Sequence, residues 1–363
     1  MLRPRRLLPA AILLAAMLPL AGCGSVGYLG QSVQGHLAVM RAARPVADWM
    51  ADPATPAALR ERLALSQRIR DFAVAELALP DNAAYRRYAA LGRPSVVWNV
   101  VAAPELSLQL ETWCFPVAGC VGYRGYFDRA DAEAYAAGLR ARGLEAGVYG
   151  VPAYSTLGKL PFDWLADPLL DTFIRWPEGE LARLIFHELA HQIAYAADDT
   201  EFNESYATAV ERLGGARWLA QQAGPEARAE YARFDARRRD FRALAAEARV
   251  RLDAVYRGPG SDADKRAAKA AVMAWLRAEH AALKAGRWEG FVGYDAWFAH
   301  ANNASLGVQA AYDALVPAFE ALFEAQGRDF ARFHAEVRRL AALPKDERRA
   351  TLAAPAPLRA DRR

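Results

Sequence analysis

The run Leu181-Ala182-Arg183-Leu184-Ile185-Phe186-His187-Glu188-Leu189-Ala190-His191-Gln192-Ile193-Ala194 decides how the rest of the chain is read. It contains no Pro or Gly and is built of good helix formers, so a helix is expected over 178–197. His187 and His191 are four residues apart and therefore project from one face of that helix. Two imidazoles at that spacing can reach one tetrahedral Zn²⁺. Glu188, next to the first histidine, can touch a metal-bound water without ligating the metal, which is the position of a general base. The alternative is a helix carrying two satisfied histidines. It sits badly with Leu184, Ile185, Phe186, Leu189 and Ile193, because a His-Glu-His set buried among them without a metal needs another partner for every polar group.

A catalytic zinc takes three protein ligands and keeps one position open. Asp198-Asp199-Thr200 reads as a turn, and the following run is helical over 203–221. Glu204 and Glu211 are seven residues apart on this helix and share a face, so either can point at the metal.

Further upstream the period changes. Helices are expected over 26–48, with Pro45 kinking or ending it, over 53–79 and around 83–91. Residues 94–101 are β-branched and aromatic, and 106–113 alternate apolar with polar, so both read as strands. Short strands follow at 122–127 and 146–151, with a helix capped by Asp128 between them and ended by Gly143. A long Gly/Pro/aromatic loop spans 152–177. Downstream, helices are expected over 225–257, 262–287 and 305–325. The fold class is therefore α+β and predominantly helical, with a small mixed sheet, the His-Glu-x-x-His helix and a large helical C-terminal half. The expected divisions are a leader at 1–22, an N-terminal helical region at 23–92, a catalytic core at 93–222, a helical region at 223–353 and a frayed tail at 354–363.

The first residues read as an export signal. Arg3, Arg5 and Arg6 precede an apolar stretch, Leu7 to Leu20, that is short for a membrane span. The string Leu20-Ala21-Gly22-Cys23 resembles a bacterial lipobox, which implies cleavage before Cys23 and its lipidation. Gly24 after the cysteine favours the periplasmic face of the outer membrane by the same resemblance. The formal net charge of +4 falls to +1 once those three unopposed arginines are set aside, so no nucleic-acid partner is expected. With Cys23 lipidated, Cys114 and Cys120 remain as a pair, and an oxidising compartment suits a disulfide between them. A metal site is the other reading, but Cys-x5-Cys with no nearby His fits zinc poorly.

Taken together, several strings resemble a family of bacterial predicted aminopeptidases, gluzincin-like zinc peptidases that are often lipoproteins. They are Gly22-Cys23 with Tyr28, Gln34-Gly35, Val97-Trp98-Asn99-Val100, Trp113 to Cys120, Tyr123 to Phe127, Ala153 to Gly158, His187 to Gln192, Phe202-Asn203-Glu204-Ser205 and Asn302-Asn303-Ala304-x-Leu306. The chain departs from the pattern after Gly158, where Lys159 to Ala166 lengthen the run before Asp167-Pro168. The resemblance implies a zincin-like sheet beside the metal helix, one Zn²⁺, a peptide substrate and a lipid anchor. Asn203-Glu204-x-x-Ala207 is similar to the ligand helix of gluzincins, which implies Glu204 as third ligand. Ala207 cannot supply the carboxylate that supports a zinc histidine there, leaving Glu211, Asp198 or Asp199 for that role.

An oxyanion also needs an electrophile, for which Tyr154, Tyr312 and His300 are candidates. Asn302 and Asn303 either bind substrate backbone or cap the helix after them. Trp98 and Trp113 read as core, and His280 and His334, on charged helices, as solvated. The leading expectation is zinc-dependent peptide-bond hydrolysis, as an aminopeptidase. An endopeptidase or processing protease with the same metal, or a non-catalytic zinc lipoprotein, are the competing readings. The intact Glu188 speaks against the last, because a structural site has no use for a general base.

Overall fold

The computed structural model describes residues 23–115, 119–153, 162–197, 199–313 and 315–353, with backbone alone for 23–26 and 310–313. The leader, the tail, Tyr154, Asp198 and the Tyr312 side chain lie outside the described residues. In chain order the elements are α1 (Cys23–Ala42), β1 (Arg44–Pro45), α2 (Val46–Ala51), α3 (Ala57–Leu77), β2 (Arg87–Ala89), β3 (Val97–Pro104), β4 (Trp113–Phe115), β5 (Gly119–Val121) and β6 (Arg124–Tyr126). Next come α4 (Arg129–Ala141), β7 (Leu144–Val151), β8 (Leu169–Leu170), α5 (Glu178–Ala190) and α6 (Thr200–Gln221). The remainder is helical: α7 (Pro225–Arg257), α8 (Asp262–Ala285), α9 (Asp295–His300), α10 (Asn303–Asp313), α11 (Val316–Ala325), α12 (Phe330–Ala341) and α13 (Lys345–Ala353).

The fold is α+β and predominantly helical. Its strands are divided among three small sheets rather than one: β1-β2-β8, the antiparallel β6-β3-β7, and the β4-β5 ribbon. The first is mixed, since β2 runs antiparallel to β1 and parallel to β8. In the ribbon Cys114 and Cys120 face each other in register and form a disulfide, with Cα atoms 3.9 Å apart. The longest ladder pairs β3 with β7 from Val97↔Val151 to Pro104↔Leu144.

Several local expectations yield to tertiary contacts. Residues 83–91 are no helix. The buried Arg70 guanidinium donates to the Ala84 and Asn82 carbonyls, Tyr85 adopts a left-handed φ of 62°, and Tyr88 pairs with Arg44 and Leu169. Nor do residues 106–113 form a strand. They leave β3 through a turn closed from Ser107 N–H to Pro104 O at 3.2 Å and meet it again from Glu111 N–H to Ala102 O at 2.8 Å, while Leu108 and Leu110 pack into two different apolar clusters. Their alternation reports two cores, not a ladder. The helix expected over 305–325 is two, because Pro317 opens a new one and the Leu315 N–H donates to Ser205 Oγ at 3.3 Å. His334 and His280 are not solvated: they are only 2% and 8% exposed. His334 donates from Nε2 to Leu77 O (2.8 Å) and shares a hydrogen bond at Nδ1 with Tyr206 Oη (2.8 Å), and burial lowers its pKa so that it is neutral.

The main core joins α3, α5, α6, α11 and α12 around Phe72, which stacks on Phe186 at 6.1 Å and meets Trp218 edge-on at 5.1 Å. A second cluster lies between α7, α8 and α9. Gly214 and Gly215 sit mid-helix in α6, where glycine is disfavoured by roughly 1 kcal/mol. A Cβ at Gly214 would come within 2.7 Å of Leu77 and 3.1 Å of Phe186, and one at Gly215 within 2.9 Å of Arg183. Glycine there lets α6 lie close against α5, and that contact builds the site.

Candidate metal centre

α5 begins after Pro177 with Glu178 and Glu180 in its first turn, where carboxylates suit the positive end of the helix dipole. It buries Leu181, Ile185, Phe186 and Leu189. His187 and Glu188 lie on the flank that the core does not cover, and His191 caps the helix. The helix ends earlier than expected because the next residues turn to meet α6. Asn203, 2% exposed, accepts from Ala196 N–H (2.7 Å) and donates to Ala196 O (2.8 Å). The asparagine of the Asn-Glu pair thus clamps the loop between the two histidine- and carboxylate-bearing helices.

That clamp sets Glu204 opposite the histidines. His187 Nε2 is 3.2 Å from His191 Nε2 and 3.4 Å from Glu204 Oε2, and His191 Nε2 is 3.8 Å from Glu204 Oε2. Among the described residues this is the group of three whose donor atoms could hold an ion together. A tetrahedral Zn²⁺ with N and O ligands at 2.0–2.1 Å separates its ligand atoms by about 3.3 Å, so the triangle has the right size. The two Nε2 atoms face each other at a distance where at most one carries a proton, an arrangement that a shared cation resolves. The donor set therefore fits zinc.

Glu211 stands behind His187. Its Oε2 is 3.1 Å from His187 Nδ1, at hydrogen-bond length although poorly angled, and its Oε1 accepts from the buried Arg183. Arg183 also donates to Tyr231 Oη at 3.0 Å and lies 3.6 Å from Asp235, so α7 props the arrangement from outside. Of the two carboxylates left open by the helix spacing, Glu204 joins the histidine Nε2 atoms and Glu211 takes the far nitrogen.

Burial would lower the pKa of His187, but Glu204 and Glu211 more than offset it and hold it well above the usual histidine value. His191 is pushed down to about 4 by burial and by His187. Glu188 is outside the donor triangle, and burial raises its pKa to about 7, opposed by His187 and assisted by Glu204 and Asp167.

Sequence reasoning missed three tyrosines. Burial and then Glu204 raise Tyr123 well above the usual phenol value, and Tyr149 reaches about 12 from burial, Asn99 opposing and Glu204 adding. Tyr149 is the cross-strand partner of Asn99, whose Nδ2 donates to its hydroxyl at 3.3 Å. Tyr85 is 2% exposed, its hydroxyl has no hydrogen-bond partner, and after burial it is Glu188 and Asp167 that raise its pKa most. No local pattern singles these residues out. The β3–β7 register brings Tyr149 towards the carboxylates, the turn between β5 and β6 brings Tyr123, and the 80–89 loop brings Tyr85.

The other candidates are placed differently. His300 is exposed at the end of α9. Asn302 caps α10, accepting from the Ser305 N–H at 2.9 Å. Asn303 is fully buried: its amide donates to the Pro104 and Glu105 carbonyls, its Oδ1 accepts from Tyr256 and its N–H donates to Glu145. The polar groups of Asn303 are thus used in the fold. Trp98 and Trp113 flank the β6-β3-β7 cluster, half-buried.

Fold and site together define a predominantly helical α+β protein that assembles two histidines and a glutamate between two packed helices, with a free glutamate alongside. The model of the family described as Putative aminopeptidase matches residues 27–352, so the chain belongs to that family, and membership points to peptide-bond hydrolysis. No curated protein and no solved structure gives a significant match.

Proposed function

We propose that the protein is a zinc-dependent aminopeptidase, gluzincin-like, held at the periplasmic face of a bacterial outer membrane by lipid on Cys23. The observation that carries the metal reading is the triangle of His187, His191 and Glu204 donor atoms, with sides of 3.2, 3.4 and 3.8 Å. Zn²⁺, when bound, supplies Lewis acidity that polarises a carbonyl and acidifies water.

The chain's own residues do the rest. Glu188, adjacent to the triangle yet outside it, takes the proton of the attacking water and passes it to the leaving amine. Its pKa near 7 suits both halves of that transfer, and a bound cation pulls it lower. Glu211 holds His187 by Nδ1, so that Nε2 faces Glu204. The phenols of Tyr123 and Tyr149 keep their protons beside Glu204 and can donate to a developing oxyanion. No helix among the described residues is long and apolar enough to cross a membrane.

The test is to measure metal content and hydrolysis of a peptide library by wild type and Glu188→Gln. One zinc per chain in both proteins, with hydrolysis lost only in the variant, is the expected result. Protein purified without stoichiometric metal sinks the reading. Peptides with free and acetylated N-termini decide between aminopeptidase and endopeptidase.

A further inference from the structure

Helix α1 presents two unlike faces. One is docked. Tyr28 stacks on Phe115 at 5.4 Å, meets Tyr126 edge-on at 5.5 Å and carries the Arg124 guanidinium 4.1 Å above its ring. Gln31 donates to Gly125 O at 3.2 Å and accepts from Phe127 N–H at 3.1 Å. Gly35 makes room for the Phe127 ring, which a Cβ would meet at 2.1 Å, and Val39 and Met40 are 2% exposed.

The other face is open and apolar. Leu29 is 47% and Val33 59% exposed, and with Leu37 they form an i, i+4, i+8 stripe that ends at Arg41. The helix, CGSVGYLGQSVQGHLAVMRA, has no acidic residue. A second apolar feature adjoins its C-terminal end. Arg87 donates to the Met40 and Ala43 carbonyls and, at 2.6 Å, to Trp164 O, so one guanidinium ties the Asp163–Leu165 turn to the end of α1. That turn exposes Phe162 (58%) and Trp164 (51%). Among the described residues, four of the seven exposed large hydrophobic residues thus belong to these two joined segments, with Arg41 and Arg44 at the junction.

We propose that the Leu29–Val33–Leu37 stripe and the Phe162–Trp164 turn form a membrane-contact face that lies in the lipid headgroup layer beside the lipid on Cys23. The inference rests on Cys23 being lipidated. α1 begins at that residue, and at 1.5 Å per residue Leu29 and Val33 lie about 9 and 15 Å along the axis from it, within the layer that the anchor reaches. The helix stripe ends at Arg41 and carries no acid, which suits an anionic lipid surface. The acids nearby are Asp163 in the turn and Asp52, which pairs with Arg44 at 3.7 Å. Tryptophan favours the membrane interface. A second contact fixes which side of the molecule faces the bilayer.

The experiment uses the full chain expressed in a Gram-negative host, purified in detergent and returned to phosphatidylethanolamine/phosphatidylglycerol vesicles with and without bromine on the upper acyl carbons. Wild type should lose tryptophan emission to the brominated lipid. That loss should fall by at least half in Trp164→Phe and in Leu29→Asn/Val33→Asn, with unchanged Tm in both variants. Equal quenching in wild type and Trp164→Phe, or none in either, overturns the proposal. So does a dimer, by sedimentation in detergent, that dissociates only in Leu29→Asn/Val33→Asn, because the stripe would then cover a second copy. The mass of the N-terminal peptide reads lipidation separately: an unmodified Cys23 removes the anchor and the proposal together. Peptide hydrolysis in detergent is independent of every one of these results.

Discussion

In the proposed zinc site, Glu211 takes the place beside His187 that alanine at position 207 cannot fill. A histidine that ligates through Nε2 is usually held at its other nitrogen by a carboxylate. Here that carboxylate lies seven residues after Glu204 and is itself pinned by Arg183. Glu211→Gln keeps the shape and removes the charge, and should weaken zinc binding about 10–100-fold, read by competition with a chromophoric chelator. Arg183→Met removes the buried guanidinium that donates to Glu211 and leaves the Glu211 and Asp235 carboxylates without it. A loss of about 3–5 kcal/mol in denaturant unfolding is expected. Tyr149→Phe and Tyr123→Phe separate the two phenols. The one that donates to the oxyanion should lower kcat about 10²–10³-fold with little change in zinc affinity, and the other should leave kcat near wild type.

At the scale of elements, the site is a contact between α5 and α6 and the short turn that joins them. Asn203 bridges both backbone groups of Ala196. Asn203→Ala leaves a buried N–H and C=O unpaired, which should cost about 2–4 kcal/mol in thermal unfolding and weaken zinc binding by freeing the loop that precedes Glu204. The asparagine was legible as part of a motif, but its work was not, because its partner is a backbone seven residues upstream. The strands at 97–104 and 144–151 and the helix at 129–141 were legible within a few residues, since each has its own periodicity and Asp128 accepts from the Ala130 and Asp131 N–H groups as the cap. The 106–113 segment was not, because apolar alternation is the same whether a ladder or two separate cores absorbs it.

The whole molecule is closed by its C-terminal helices. Arg348 and Arg349 from α13 reach Asp199, the cap of α6, and α12 brings His334 between Tyr206 and Leu77. Burial lowers the His334 pKa to about 4, so folding excludes a proton that the unfolded chain binds below about 6.5. Stability is intact above that ordinary value and is lost as pH falls towards 4, by on the order of 3 kcal/mol in all. Asp199 acts at lower pH: burial raises its pKa, the two arginines more than reverse this, and the stabilisation they confer is intact above the ordinary value of 3.8 and fades as pH falls below it. Melting curves between pH 4 and 7 should show the His334 slope, and His334→Gln, less stable at pH 8, should flatten it.

By itself the sequence determined the local things: the helix that carries His187, Glu188 and His191, the pairing of two cysteines, the helical character of the C-terminal half, and the residue strings that mark its family. Periodicity, capping and spacing are properties of neighbouring residues, and they survive without a fold. Only the tertiary structure decided which of Glu204 and Glu211 meets the histidine Nε2 atoms, that Asn303 and His334 are spent on packing, and that Tyr85, Tyr123 and Tyr149 come towards the carboxylates. Those outcomes depend on how closely α6 approaches α5 over Gly214 and Gly215, on the β3–β7 register, and on where the 80–89 loop and the turn between β5 and β6 lie. All are set by contacts between residues far apart in the chain, and no pattern within one segment encodes them.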